Sequence, residues 1–183
     1  MADGIRADAR RNRERILEAA ALAFGAADGP ASLEAIARDA GVGIGTLYRH
    51  FPSREALVEA VYRAELAEVA ATAQELLRSH PPVEALRLWM DRYAMFVAAK
   101  RGMAESLRAI FDSGAVTAGD TRARVVGAVG TLLAAGAGDG TLRSDVAADD
   151  VVTGLLGIML ASSSPEQCGR MFDLLLAGLV TIR

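Results

Sequence analysis

Cysteine, histidine, lysine and strand patterns are all scarce in this chain. Cys168 is the only cysteine among 183 residues, so no disulfide can close within the chain and a reducing, cytoplasmic setting is expected. His50 and His80 are the only histidines and stand about thirty residues apart, one before two prolines, which favours neither a metal site nor a catalytic base. No cofactor is implied, and an enzyme is not expected. The opening MADGIRADARRNRER lacks the apolar core of a signal peptide, and the longest apolar run, Val151 to Ala161, is short for a membrane span. No membrane partner is therefore expected. Lys100 is the only lysine beside 19 arginines. With so much alanine and glycine, that bias fits a GC-rich genome and carries no functional meaning by itself. Sustained alternation of apolar and polar residues is missing, and the valines sit inside helical patterns, so the fold class is all-α.

What is present is a folded chain, with 52% hydrophobic and 23% charged residues. Its length suits one ordinary domain, or a small domain joined to a larger one. Net charge is −3, which by itself disfavours a nucleic-acid partner. The distribution argues the other way. Arg6, Arg10, Arg11, Arg13 and Arg15 against Asp8 and Glu14 make the N-terminal arm basic, whereas from Ala64 onward 11 bases face 14 acids.

Apolar spacing predicts about nine helices without internal repeats. Ile16, Ala20 and Phe24 define a first helix from about Arg10 to Ala27, closed by Asp28-Gly29-Pro30. Ser32 caps a second helix ending before Gly41, and a third covers Ile44 to Phe51. Ser53 caps a long fourth that runs to about Ser79, before Pro81-Pro82. Later helices follow from Val83 to Lys100, Met103 to Phe111 and Arg122 to Ala137, then around Val151 to Leu160 and Met171 to Leu179. The stretch GAGDGT, Gly136 to Thr141, imitates part of a phosphate-binding loop but follows a helix and lacks the lysine, so it reads as a loop. Asp149-Asp150 and Ser162 to Ser164 read as helix-end residues, and Cys168 as a half-buried thiol.

The segment DAGVGIGTLYRHF has the layout of a helix-turn-helix: a capped helix, a turn at Gly41 suited to positive φ, and a second helix turning Leu47 and Phe51 inward. Ile44, Gly45, Thr46, Tyr48, Arg49 and His50 are left outward. A helix this short is marginal in water, so its neighbours must hold it as a rigid probe. Such a helix fits the major groove of DNA, where arginine pairs with guanine and a threonine methyl touches thymine. The bland alternative is a helical corner with a solvated polar face.

The run TLYRHFPSREAL, after ILEAAALAF and SLEAIARDAGVGIG, strongly resembles the N-terminal domain of the TetR family of bacterial transcriptional repressors, over roughly Ala9 to Val69. The resemblance implies that Thr46, Tyr48 and His50 occupy the family's usual contact positions, with Tyr48 and His50 on backbone phosphates. Arg49 sits where the family varies, and becomes the candidate base reader. Arg54 stands where lysine is more usual, near a phosphate. Ile44 and Gly45 offer little hydrogen bonding, and Arg38, Arg10 and Arg11 are weaker contact candidates. The domains expected are residues 9–69 for DNA binding, with the motif at about 32–51, and residues 70–183 for effector binding and dimerisation.

Two further sites are expected in the larger part. Trp89, Met90, Tyr93 and Phe96 exceed what one packed face requires, so helices four to eight either enclose a mostly apolar effector pocket, with Met103 and Phe111 as further lining, or form a filled core. Leu155, Leu156, Met159, Leu175, Leu176 and Leu179 carry more apolar surface than one face needs, and the resemblance implies a four-helix homodimer interface there. The function expected is repression at a palindromic operator on double-stranded DNA, released by a small hydrophobic effector through the long fourth helix. The alternative is a helical ligand-binding or interaction protein whose DNA-binding head is idle.

Overall fold

Apolar residues at helical spacing, punctuated by prolines and glycines, become nine helices among the described residues of the computed structural model, which are 2–25, 31–100, 104–112, 114 and 118–181. In chain order these are α1 Ala2–Gly25, α2 Leu33–Asp39, α3 Ile44–His50, α4 Arg54–Ser79, α5 Pro82–Ala99, α6 Ala104–Asp112, α7 Ala118–Gly138, α8 Ala148–Ala161 and α9 Pro165–Leu179. The only extended pairing among them is an isolated antiparallel bridge between Leu142 and Val180. The all-α expectation holds. No helix among the described residues is long and apolar enough to cross a membrane.

Boundaries set by capping side chains fall where the sequence puts them. Ser32 accepts from the Ala35 amide at 3.4 Å and Ser53 from the Ala56 amide at 3.1 Å, so α2 and α4 begin immediately after them. The first helix departs from expectation: it begins at Ala2 rather than Arg10, and the ion pairs Asp8–Arg11 and Arg10–Glu14 lie along it upstream of its apolar stripe. Its expected end at Ala27 lies outside the described residues. α7 starts four residues before Arg122 and runs to Gly138, one residue past the expected Ala137. A Cβ at Gly136 would lie 2.4 Å from the Leu142 side chain, so the bare glycine lets the following turn fold back and bury Leu142.

The chain divides into two compact units, residues 1–65 with 98–117, and residues 66–97 with 118–183. Residues 98–117, within the part expected at 70–183, are grouped with the first unit by their contacts. That unit is cored by Ile16, Ala20, Phe24, Ile36, Leu47, Phe51, Leu57 and Val58, all buried, and Tyr62 meets Phe111 edge-on at 5.9 Å. Lys100 is buried in it against the Glu65 carboxylate, and loss of hydration pulls its ammonium pKa down to about 8.

The second unit is organised by α5. Trp89, Tyr93 and Phe96 are buried and form a ladder of near-parallel rings, with centroids 5.3 Å and 6.2 Å apart. Trp89 also donates its indole N–H to the Val69 carbonyl at 2.9 Å. Met95, on another face of α5, is 72% exposed. Arg87 reaches α9, donating to Asp173 at 2.6 Å and to the Gly169 carbonyl at 3.4 Å, while Arg122 ties α7 to α8 through Asp149 and Thr153.

The ladder sets a measurable expectation. Trp89→Phe keeps a ring but deletes the indole N–H and leaves a void, and should lower unfolding free energy by about 2 kcal/mol in a urea titration followed by circular dichroism. An unchanged midpoint would mean that neither the hydrogen bond nor the ring contacts of Trp89 support the unit.

Candidate nucleic-acid interface

α3 has seven residues and cannot persist alone in water, so its position comes from what surrounds it. Leu47 is 0% exposed and Phe51 3%, and α3 packs on both α1 and α2. The turn before it is fixed by backbone bonds: Gly41 N–H to the Arg38 carbonyl and Val42 N–H to the Ala37 carbonyl, each 2.9 Å, with Gly41 at φ 64°. Gly43, in extended conformation, precedes the first helical residue, and its carbonyl accepts from the Thr46 amide at 2.8 Å. α2, a turn and α3 thus form a rigid helix-turn-helix.

Its outward surface carries the residues singled out from sequence. Ile44 and Tyr48 are 38% and 45% exposed and lie one turn apart. Gly45 and Arg49 are exposed, and Thr46 and His50 half-buried. Arg49 is not loose: its Nε donates to the Gly45 carbonyl at 3.1 Å and its Nη2 to the Thr46 hydroxyl at 3.0 Å. The His50 ring lies 6.4 Å from Phe51.

The other predicted cations stand differently. Arg38 lies 3.7 Å from Asp39, Arg10 lies 3.7 Å from Glu14, and Arg11 pairs with Asp8, all at exposed positions where such pairs are weak and readily exchanged. Arg54 is engaged more firmly. Its Nη1 donates to the Ala31 carbonyl at 2.6 Å and its guanidinium lies 5.3 Å from the Phe24 ring centre, joining the start of α4 to the end of α1 and the approach to α2.

Two α1 residues of the basic arm have structural roles here that their charge alone does not mark. Arg13 covers the Phe51 ring at 5.2 Å, and Arg15 donates to the Gly41 carbonyl at 3.2 Å. A Cβ at Gly41 would lie 2.2 Å from the Arg15 guanidinium, so the glycine answers both its own positive φ and this close approach. Neither partner is a sequence neighbour, and no local pattern marks the contact.

The remaining predicted residues separate. Trp89, Met90, Tyr93 and Phe96 are buried in the second unit, whereas Phe111 sits in the first beside Tyr62, and Met103 lies outside the described residues. Along α8 and α9, Leu155 and Leu179 are 0% and 5% exposed, covered within their own chain and unavailable to a partner. Leu156, Met159, Leu175 and Leu176 are half-buried. The apolar groups that do reach solvent are Leu160, 86% exposed, Leu174, 67%, and Met171, 38%, none of them among the leucines and methionine expected there. Among the described residues no cluster of three or more histidine, cysteine or acidic side chains is arranged to hold a metal.

Two family models match the chain, one near each end. A family model described as bacterial regulatory proteins of the tetR family matches residues 16–61, and one described as the C-terminal domain of SbtR-like transcriptional regulators matches residues 81–181. The solved TetR transcriptional regulator SCO0520 from Streptomyces coelicolor is 46% identical, with 93% of this chain and 99% of that one covered and a TM-score of 0.81. The TetR transcription regulatory protein from Mycobacterium vanbaalenii is 32% identical, with 97% and 99% covered and a TM-score of 0.75. SmeT, the repressor of the Stenotrophomonas maltophilia multidrug efflux pump SmeDEF, shares the fold at 20% identity, 92% and 90% coverage and a TM-score of 0.60. No curated protein matches.

The engagement of Arg54 has a consequence for the DNA-free protein. Arg54→Ala should cost about 1 to 2 kcal/mol of stability through the lost charge-assisted hydrogen bond and ring contact. Arg54→Lys should recover less than half, because an ammonium lacks the planar fork. Thermal denaturation of both variants measures this, and identical midpoints for wild type and Arg54→Ala would show that the residue braces nothing.

Proposed function

We propose, for a chain that belongs to the TetR family of bacterial transcriptional regulators, that it represses transcription by binding a near-palindromic operator as a homodimer and lets go when a small hydrophobic molecule binds. Regulation through DNA binding comes with the family; repression, operator form and release are the proposal. The observation that carries it is the combination on α3 of a fully buried Leu47 with exposed Tyr48 and Arg49 and a half-buried Thr46. A polar face held this rigidly suits groove readout better than a merely solvated corner, which needs no fixed geometry.

In this reading residues 9–69 bind DNA and residues 70–183 bind effector and partner. Tyr48 and His50 meet phosphates, joined by Arg54 through the donors it does not spend on Ala31, while Arg38, Arg10 and Arg11 supply the surrounding positive charge. Ile44 and Gly45 form the apolar, close-approach edge of the probe. The effector binds against Trp89, Met90, Tyr93 and Phe96, whose apolar surfaces and single phenol favour a hydrophobic, uncharged ligand. Such a ligand acts by favouring the conformation that binds DNA poorly, and a coupling of about 1 to 3 kcal/mol weakens operator binding roughly 5- to 150-fold.

A mobility-shift assay against the DNA upstream of the chain's own gene tests the core of this proposal. Tight binding that resists excess unrelated DNA is the expected result. Weak binding to any sequence alike would favour a ligand-binding protein with an idle head.

Dimerisation has its own test, because one seven-residue helix reads too few base pairs for a specific site and a second copy, its recognition helix about 34 to 36 Å away or a multiple of that, doubles it. The exposed Leu160, Met171 and Leu174, with half-buried Leu156, Met159, Leu175 and Leu176, are the proposed partner surface. Leu174→Glu would bury an unpaired carboxylate twice in a twofold interface, a penalty of several kcal/mol per ion. Light scattering at micromolar concentration should give a dimer for wild type and a folded monomer for the variant, and a wild-type monomer would remove the dimer from the proposal.

A further inference from the structure

The guanidinium of Arg49 is planar and carries five N–H donors in fixed directions. Its Nε–H and the neighbouring Nη2–H lie along one edge, and both face back onto α3, to the Gly45 carbonyl at 3.1 Å and the Thr46 hydroxyl at 3.0 Å. The far edge, formed by Nη1 and the second Nη2 hydrogen, keeps two parallel donors. Two parallel donors match O6 and N7 of guanine in the major groove; adenine offers N7 but sets its own N6 donor where the second acceptor is needed. A Cβ at Gly45 would meet nothing within 4 Å, so the helix surface at Gly45 is open.

We propose that Thr46 and Arg49 read DNA as one hydrogen-bonded unit, Arg49 selecting guanine and Thr46 acting as its positioning residue. This rests on the DNA-binding reading above and adds the base and the division of labour. An untethered arginine loses side-chain freedom when it meets a base; here two bonds to its own helix remove part of that freedom beforehand, and the gain appears only at the base pair Arg49 faces. Thr46 thus influences sequence choice through Arg49, and not merely affinity through a phosphate.

The test begins by selecting the preferred site of the wild-type protein from randomised duplex DNA, then measuring every single-base substitution in one half-site. Wild type, Thr46→Val, Thr46→Ser, Arg49→Ala and the double variant Thr46→Val with Arg49→Ala are compared, with circular dichroism confirming that each is folded. One guanine per half-site should matter about tenfold or more to wild type, the discrimination a bidentate pair supplies. Arg49→Ala should abolish that preference, Thr46→Val should reduce it, Thr46→Ser should restore it, and the double variant should discriminate no worse than Arg49→Ala. Retention of the guanine preference by Arg49→Ala overturns the assignment of the reader. A Thr46→Val loss that falls on all sequences alike and adds in full to that of Arg49→Ala overturns the coupling, making Thr46 an independent backbone contact. Selection that enriches no sequence at all overturns the DNA-binding reading itself, and the paired unit with it.

Discussion

A seven-residue helix that must stay helical in water without the length to do so is the constraint around which the first unit is built. Nucleating a helical turn fixes several dihedrals for a single hydrogen bond, and α3 has too few residues to recover that cost by propagation. Its order is therefore borrowed. Burial of Leu47 and Phe51 supplies the apolar anchor, the Gly41 turn sets the angle to α2, and Arg13 and Arg15 on α1 close over the ring and the carbonyl that flank it. The polar face is fixed because the opposite face has no freedom.

Arginine performs two kinds of work in this unit, and the guanidinium explains why one residue type serves both. Five donors in a plane allow part of the group to bind the protein while the rest remains available. Arg15 and Arg54 bond backbone carbonyls remote in sequence, 3.2 Å and 2.6 Å away, and Arg49 bonds its own helix while keeping a free edge. An ammonium, a compact charge on a flexible stem, could not divide itself this way. The one lysine, Lys100, is instead buried beside Glu65, where lost hydration lowers its pKa.

The second unit solves a different problem, that of holding amphipathic helices together while leaving apolar surface outside. Ring stacking along α5 and the bond from Trp89 to Val69 order its interior. Arg87, lying 5.8 Å from the Phe172 ring centre and bonded to Asp173, fastens α9, and Arg122 does the same between α7 and α8. These polar ties cross between helices at their margins, so Leu160 and Leu174 can stay in solvent without loosening the helices from one another. Exposed leucines on consecutive helices are costly to keep wet, which is the physical ground for placing a partner there.

The sequence by itself determined whatever depends on near neighbours. Ser32 and Ser53 cap amides three residues on, Gly41 takes the positive φ its turn requires, prolines end α4 before α5, and Leu47 and Phe51 turn inward because they are one turn apart. The residues facing out on α3 follow from the same periodicity. Tertiary structure alone decided which side of an apolar helix meets its own chain: on α8 and α9 spacing marks Leu155 and Leu179 as well as Leu156 and Leu176, yet the first pair is buried and the second only half-buried. It also decided that residues 98–117 group with the first unit, that Phe111 meets Tyr62 edge-on, and that Arg13, Arg15 and Arg54 brace the head. Periodicity fixes the angle of a side chain about its own helix axis, but only the way whole helices pack together fixes what stands opposite it.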